Sequence, residues 1–481
     1  MSIIQAAGSG EVSTGFYSYS IGQSLRFNDG DSAYLHRTPS SAGNRRTWTW
    51  SAWIKRGNIS TAQYLFFAYS ANSNAGFFRI EFNSTNTLRV RGWSTTYLET
   101  SALFRDVSAW YNIVLVSDTT QSQTSATASD SRIRLYVNGE QVTSFSSSSM
   151  PSQNTDLPVN NTIVHNLSSH TGYSAGSYFD GYMAEVNLID GTALTAASFG
   201  ETVDGIWVPK SSSGLTFGTN GFYLPFDDSS AIGDDESANT NDLTPSGLAA
   251  TDVVLDSPTN NFNVLNPLHS RLDGGANVTI SEGNLQIFGG SNYGGDNRYA
   301  GTTGVSSGKW YFEMLRTDAT GLGNHTATGV FDASTPLSSG YYGGNGTNAG
   351  AAANEWALTD RGYACNTSTY TNLSGTIGTV TQNKVVQVAV DMDNKKIWFG
   401  IDNTFAGDPA AGSGQAFANL PTTILPLAYH AQSTQVFNFG QDSSFSGNKS
   451  TANANADGNG FGSFAYAPPS GFLSLCSQNL P

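Results

Sequence analysis

Apolar residues in this chain recur at every second position over short runs, and the runs are separated by Gly, Asn, Asp and Ser. That period marks β-strands, in which successive side chains point to opposite faces. Thr47-Trp48-Thr49-Trp50-Ser51-Ala52-Trp53-Ile54-Lys55 is the clearest case. Trp48, Trp50, Ala52 and Ile54 share one face, assigned to a core, and Thr47, Thr49, Ser51, Trp53 and Lys55 share the other. Strands are also predicted at 24–27, 33–35, 64–69, 77–82, 87–93, 110–117, 132–138 and 179–189. Asn138-Gly139 is a hairpin signal, because both central positions of such a turn need positive φ.

A second series follows at 308–314, 329–331, 363–365, 385–391, 396–401, 425–429 and 435–440. Residues 204–274 differ in texture: Pro245, Pro258 and Pro267 punctuate a polar stretch that still holds Trp207, Phe217, Phe222, Tyr223, Phe226 and Phe262. The predicted organisation is an N-terminal segment (1–23), a first β-sandwich (24–203), an ordered aromatic connector (204–274) and a second β-sandwich (275–481). At 481 residues the chain is long enough for two cores, so residues 1–203 and 275–481 are each expected to fold alone. The pair 110–117 and 132–140 echoes the pair 384–390 and 395–403, which predicts related topologies.

Charged residues make up only 12% and glycines number 52, which fits short strands joined by neutral turns and excludes a helical protein. The net charge of -15 opposes binding to phosphate backbones and anionic lipid, so neither nucleic acid nor membrane insertion is expected. The first ten residues lack a basic region followed by an apolar one, and no apolar run approaches membrane-spanning length. Synthesis in a cytoplasm without a signal peptide is the expectation. Cys365 and Cys476 have no metal-site spacing; buried free thiols are favoured, a disulfide between them being the alternative.

No catalytic set emerges. The six histidines are dispersed, His165 and His170 forming the nearest pair. By alternation Glu185 shares its face with Met183 and Asn187, and Glu313 stands between Tyr311 and Leu315, so neither has the second carboxylate that glycoside hydrolysis requires. Asp29 and Asp31, in Asn28-Asp29-Gly30-Asp31, are the candidate metal ligands; calcium is the weighed alternative to a tight turn, and no cofactor is expected. Gly321 to Gly323 and Gly340 to Gly350 precede no helix and cannot cradle a phosphate. Arg89, Arg91 and Trp93 fall on one strand face, opposite Leu88 and Val90, and are the candidate ligand-binding residues, with outer-face packing as the alternative.

Ser24-Leu25-Arg26-Phe27, Trp50 to Lys55, Leu135-Tyr136-Val137-Asn138-Gly139 and Phe179 to Ile189, in that order, resemble the laminin G-like jelly roll. Gly308-Lys309-Trp310-Tyr311-Phe312-Glu313-Met314, with Asp391 to Asp402 and Gln435 to Gly440, resembles the SPRY domain. Together they imply an all-β fold of two tandem concanavalin A-like β-sandwiches. The pairing of the two, with Ser24 to Leu35 and Asp256 to Phe262, resembles virion structural proteins of marine tailed bacteriophages. That resemblance implies a place on the virion exterior as tail fibre, knob or capsid fibre, adhering to host-surface glycan or to other virion proteins. Architectural cement without an external ligand and, behind it, a polysaccharide depolymerase are the alternatives. A homo-oligomer is expected, a trimer foremost.

Overall fold

The computed structural model describes residues 16–169, 176–272, 278–289, 297–319, 321–323, 326–337, 354–366, 369–431, 433–450 and 453–481. His170 and the glycines from 340 to 350 lie outside them. The described chain divides into two compact units, 16–260 and 261–481. Its regular secondary structure is nearly all strand; among the described residues the α-helix is a single turn, Ser374–Ile377. No helix there is long and apolar enough to cross a membrane.

The first unit is a sandwich of two antiparallel sheets. One runs Glu140–Gln141, Ile133–Val137, Trp110–Asp118, Thr47–Arg56, Gly181–Asp190, Ser24–Phe27, Val253–Val254, with Phe222–Leu224 also beside Gly181–Asp190. The other runs Phe145–Ser148, Thr96–Leu103, Thr87–Gly92, Phe77–Phe82, Gln63–Tyr69, Val164–Leu167, Tyr34–Arg37, Thr244–Ser246. Trp48, Trp50, Ala52 and Ile54 lie fully buried between them, against Phe66, Phe78, Ile80 and Val90. Trp48 meets Phe78 edge-on at 5.3 Å, a favourable aromatic geometry. Asn138 and Gly139 have φ of +49° and +85°, as the hairpin demands, and a side chain at Gly139 would collide with the Trp207 ring at 2.3 Å.

Alternation misses one thing here: the opposite face of Thr47–Arg56 is buried as well. Trp53 packs with Ile21, Trp110, Tyr182 and Val254, and Lys55, fully buried, pairs with Asp256 at 2.6 Å. Asp256 also accepts from the Trp110 indole at 3.2 Å. The cover comes largely from the segment the sequence sets apart. Of residues 204–274, 204–260 belong to the first unit, adding three strands to its two large sheets and a fourth, Ile206–Pro209, that pairs with Gly200–Val203, and Leu265–Leu272 is an edge strand of the second unit. Pro245 sits in an edge strand, where its missing N–H costs no ladder bond.

In the second unit one sheet runs Leu265–Leu272, Asn297–Gly301, Ile424–His430, Thr326–Asp332, Glu355–Thr359, Tyr363–Asn366, Thr369–Asn372. The facing sheet runs Val278–Ser281, Gln286–Gly289, Gln435–Asn438, Lys309–Arg316, Val385–Asp391, Lys396–Ile401, Thr404–Phe405, with Leu473–Ser474 parallel to Lys309–Arg316. Trp310, Phe312, Met314, Val388, Phe399 and Phe437 fill the core between them. Tyr311 and Trp398 point outward and are covered by Phe464 and Phe472 from the C-terminal segment. Cys365 and Cys476 are free and buried, and burial raises their thiols to about 12 and about 11.

Candidate functional site

Two places in the first unit gather chemistry. The first is the outer face of the Thr87–Gly92 sheet. Leu88 and Val90 enter the core, so Arg89 and Arg91 stand on the opposite face, as alternation predicts. Arg89 lies across from Glu81 and Glu99 on the neighbouring strands, with Nε on the buried Glu81 carboxylate. Arg79 also pairs with Glu81, at 2.9 Å, and its guanidinium covers the Tyr64 and Phe77 rings. Arg91 donates to the carbonyls of Gly92 and Trp93 at 3.1 and 2.7 Å, and the Trp93 ring meets Phe77 edge-on at 5.5 Å.

Cross-strand ion pairing therefore occupies Arg89, while Arg91 and Trp93 remain half-exposed. Beside them Tyr69, also half-buried, stacks on the buried Phe67 at 5.7 Å. The structure thus brings Tyr69 to the residues the sequence singled out. An aromatic layer edged by a guanidinium can stack on a sugar ring or another flat apolar face.

The second place was not legible in sequence. On one side the Gly181–Asp190 strand pairs first with Ser24–Phe27, at 181–183, and then with Phe222–Leu224, at 186–188. The sheet forks between them. On its other side Ala184 pairs with Trp53 and Asn187 with Ser51, so two residues face Ala52 alone. In this β-bulge Glu185 takes a φ of +51°, the left-handed seat that glycine usually fills. Met183 and Val186 can then both enter the core. Glu185 instead accepts hydrogen bonds from Tyr223 at 2.8 and 2.9 Å and from Tyr19 at 3.1 Å.

The expectation that Met183, Glu185 and Asn187 share a face is thus corrected by the bulge. A cavity of about 480 Å³ opens beside Glu185, its lining including Tyr19, Tyr223, Asp227 and Glu236. Other carboxylates do share the space of Glu185, contrary to the reading from spacing. Burial raises the Glu185 carboxyl to about 7; the bonds from Tyr223 and Tyr19 oppose this, and the Asp227 charge adds to it. Residues 166 and 38 positions away make this site, and no local pattern announces such a convergence.

The remaining candidates have structural partners. Asn28 Oδ1 accepts from Gly30 N at 3.1 Å, Asn28 Nδ2 donates to Asp31 at 2.9 Å, and Asn58 Nδ2 donates to Asp29 at 3.0 Å. The first two are the bonds of a tight turn and the third ties Asp29 to a residue 29 positions on; among the described residues no three His, Cys, Asp or Glu side chains are grouped to hold a metal. His165 is buried and lowered to about 4 by that burial, with Asn160 N at 3.1 Å from Nε2 and Ile163 O at 2.8 Å from Nδ1. Glu313 is enclosed: Ala465 N, Tyr466 N and Tyr311 Oη donate at 2.9 Å and Asn438 Nδ2 at 3.4 Å.

Residues 28–198 match the family described as the Concanavalin A-like lectin/glucanases superfamily, with a laminin G domain profile. No curated protein matches the chain. Among solved structures it is similar to the SPRY domain of human HERC1, at 16% identity over 36% of this chain and 96% of that one, TM-score 0.28. It is also similar to the heptameric SAP-like pentraxin of Limulus polyphemus, at 15% identity over 37% and 80%, TM-score 0.27. A third is the Trypanosoma rangeli sialidase in complex with sialic acid, at 13% identity over 32% and 22%, TM-score 0.24. The fold is all-β, of tandem β-sandwiches, and its first unit carries a concanavalin A-like domain.

Proposed function

We propose that this chain is a virion-surface structural protein, a tail fibre, knob or capsid fibre, that adheres to host-surface glycan and does no hydrolysis. The observation that carries the binding half is the open sheet face where Tyr69, Arg91 and Trp93 stand half-exposed over buried aromatics, in the unit that matches a lectin-type family. The virion half rests on the sequence resemblance of the Ser24 to Leu35 and Asp256 to Phe262 segments. A homo-oligomer, foremost a trimer, fits adhesion, because several weak sites acting together bind a surface far more strongly than one.

Absence of hydrolysis is supported by the two glutamates. Glu313 has no open side, and Glu185 is committed to two tyrosine hydroxyls. The depolymerase reading has one foothold, the carboxyls of Asp227 and Glu236 in the Glu185 cavity. Two measurements separate the readings. Binding of the full chain to host-cell polysaccharide should fall about tenfold in Trp93→Ala, the loss typical of one stacked aromatic, and labelled antibody should decorate intact particles. Release of reducing ends that Glu185→Gln abolishes would overturn the non-catalytic reading, and a stable monomer absent from purified virions would overturn the virion assignment.

A further inference from the structure

We propose that the cavity at the sheet fork is a receptor site for a primary ammonium group carried on a small ligand, distinct from the aromatic sheet face. The sign of charge is the first reason. Glu185, Asp227 and Glu236 line the cavity, and no Lys, Arg or His does. Asp227 and Glu236 are exposed, and Glu236 lies among like charges: slight desolvation, then Asp227, Asp234, Asp235 and Asp228, push its carboxyl up. A fixed negative field with no cation of its own attracts one from solution.

The geometry narrows the class. Both tyrosine hydroxyls already donate to Glu185 Oε1, and Tyr223 reaches Oε2 as well. A guanidinium needs both oxygens of a carboxylate free for its two parallel N–H bonds, and this carboxylate does not offer that edge. An ammonium is a compact point charge with three donors and needs no such edge. A hard divalent cation wants six or more oxygens, several of them carboxylate, and no metal-holding group is gathered here among the described residues. Tyr19 and Tyr223 also line the cavity, and aromatic side chains attract organic cations. The volume of about 480 Å³ admits a molecule the size of a monosaccharide.

The same ammonium chemistry occurs on a deacetylated amino sugar and on an alkylamine such as a lysine side chain. Calorimetric titration of the full chain with glucosamine, cadaverine and N-acetylglucosamine tests the site and separates the sources. At least one of the two amines should bind about tenfold more tightly than N-acetylglucosamine, whose nitrogen carries no charge. Preference for glucosamine marks a sugar-borne amine, and preference for cadaverine an alkylamine. The double variant Asp227→Asn/Glu236→Gln changes only exposed side chains, so it should stay folded and lose about tenfold in amine affinity while retaining adhesion to polysaccharide. No heat with either amine, equal binding of N-acetylglucosamine, or an unaltered double variant would each overturn the proposal.

Discussion

In the first unit the strands 140–141, 133–137, 110–118, 47–56 and 181–190 lie side by side; in the second, 404–405, 396–401, 385–391, 309–316 and 435–438 do the same. Both are antiparallel runs in which one long strand is followed by a hairpin on one flank and a later strand on the other. Both have an outer face covered by later chain, and both carry a glutamate there with its carboxyl raised to about 7, foremost by burial. The difference lies in the cover. Over Glu313 the backbone of 465 and 466 presents two N–H groups and seals the site. Beside Glu185 the sheet forks, the partners are two tyrosine hydroxyls, and a cavity remains. The same run thus yields a sealed clasp in one unit and, in the other, a buried carboxyl that borders a cavity.

The sharpest way to break the comparison is to ask whether the two runs stabilise separate units. Trp50→Ala should cost the first unit about 3–5 kcal/mol, the range for a buried large aromatic, and leave the second transition in a calorimetric scan in place; coincident shifts would mean one shared core. Truncation comes next. A fragment of residues 13–260 should fold, whereas one ending at 203 leaves Lys55 buried without Asp256, a loss of about 3–5 kcal/mol when one partner of a buried pair goes. Circular dichroism melts of the two fragments decide this, and an equally stable 1–203 would show that the cover is dispensable.

The third concerns protons. Glu313 folded at about 7 lies above its ordinary 4.5, so the folded state holds a proton that the unfolded state has released between those values. Stability from this group is then complete below about 4.5 and lost as pH rises towards 7, by up to about 3 kcal/mol. Replacing Glu313 with Gln should flatten the denaturation midpoint of the second unit across that window. A wild-type midpoint that instead rises from pH 5 to 7, with the variant parallel to it, would show a carboxylate kept ionised by its donors. The smallest effect tests the bulge. Glu185→Gly places the residue suited to a left-handed seat and should raise the first unit's stability by about 1 kcal/mol; a lower midpoint would mean that the bonds to Tyr19 and Tyr223 outweigh the strain.

Much of the fold was legible from local pattern. The Trp48 to Ile54 face, the Asn138-Gly139 hairpin and the echo between 110–140 and 384–403 follow from side-chain period and turn chemistry, which act over a few residues. Of the candidate surface, Arg91 and Trp93 were found because alternation places them away from Leu88 and Val90. Tyr69 was not, since it comes from a strand two places across the sheet.

By itself the sequence determined an all-β chain with two series of strands, the inner faces of those strands and the absence of a local catalytic motif, because each depends on spacing within one strand or turn. Only the tertiary structure decided where the 204–260 segment packs, that Lys55 is buried against a partner 201 residues away, and that Glu185 leaves its alternating place. The bulge inserts one residue into a ladder and reverses the facing rule there, and pairing across such separations depends on which surfaces are left to cover. A carboxyl, two tyrosines and a cavity converge at that fork, since the segment before Ser24–Phe27, the middle of Gly181–Asp190 and Phe222–Leu224 meet there in space though they are far apart along the chain.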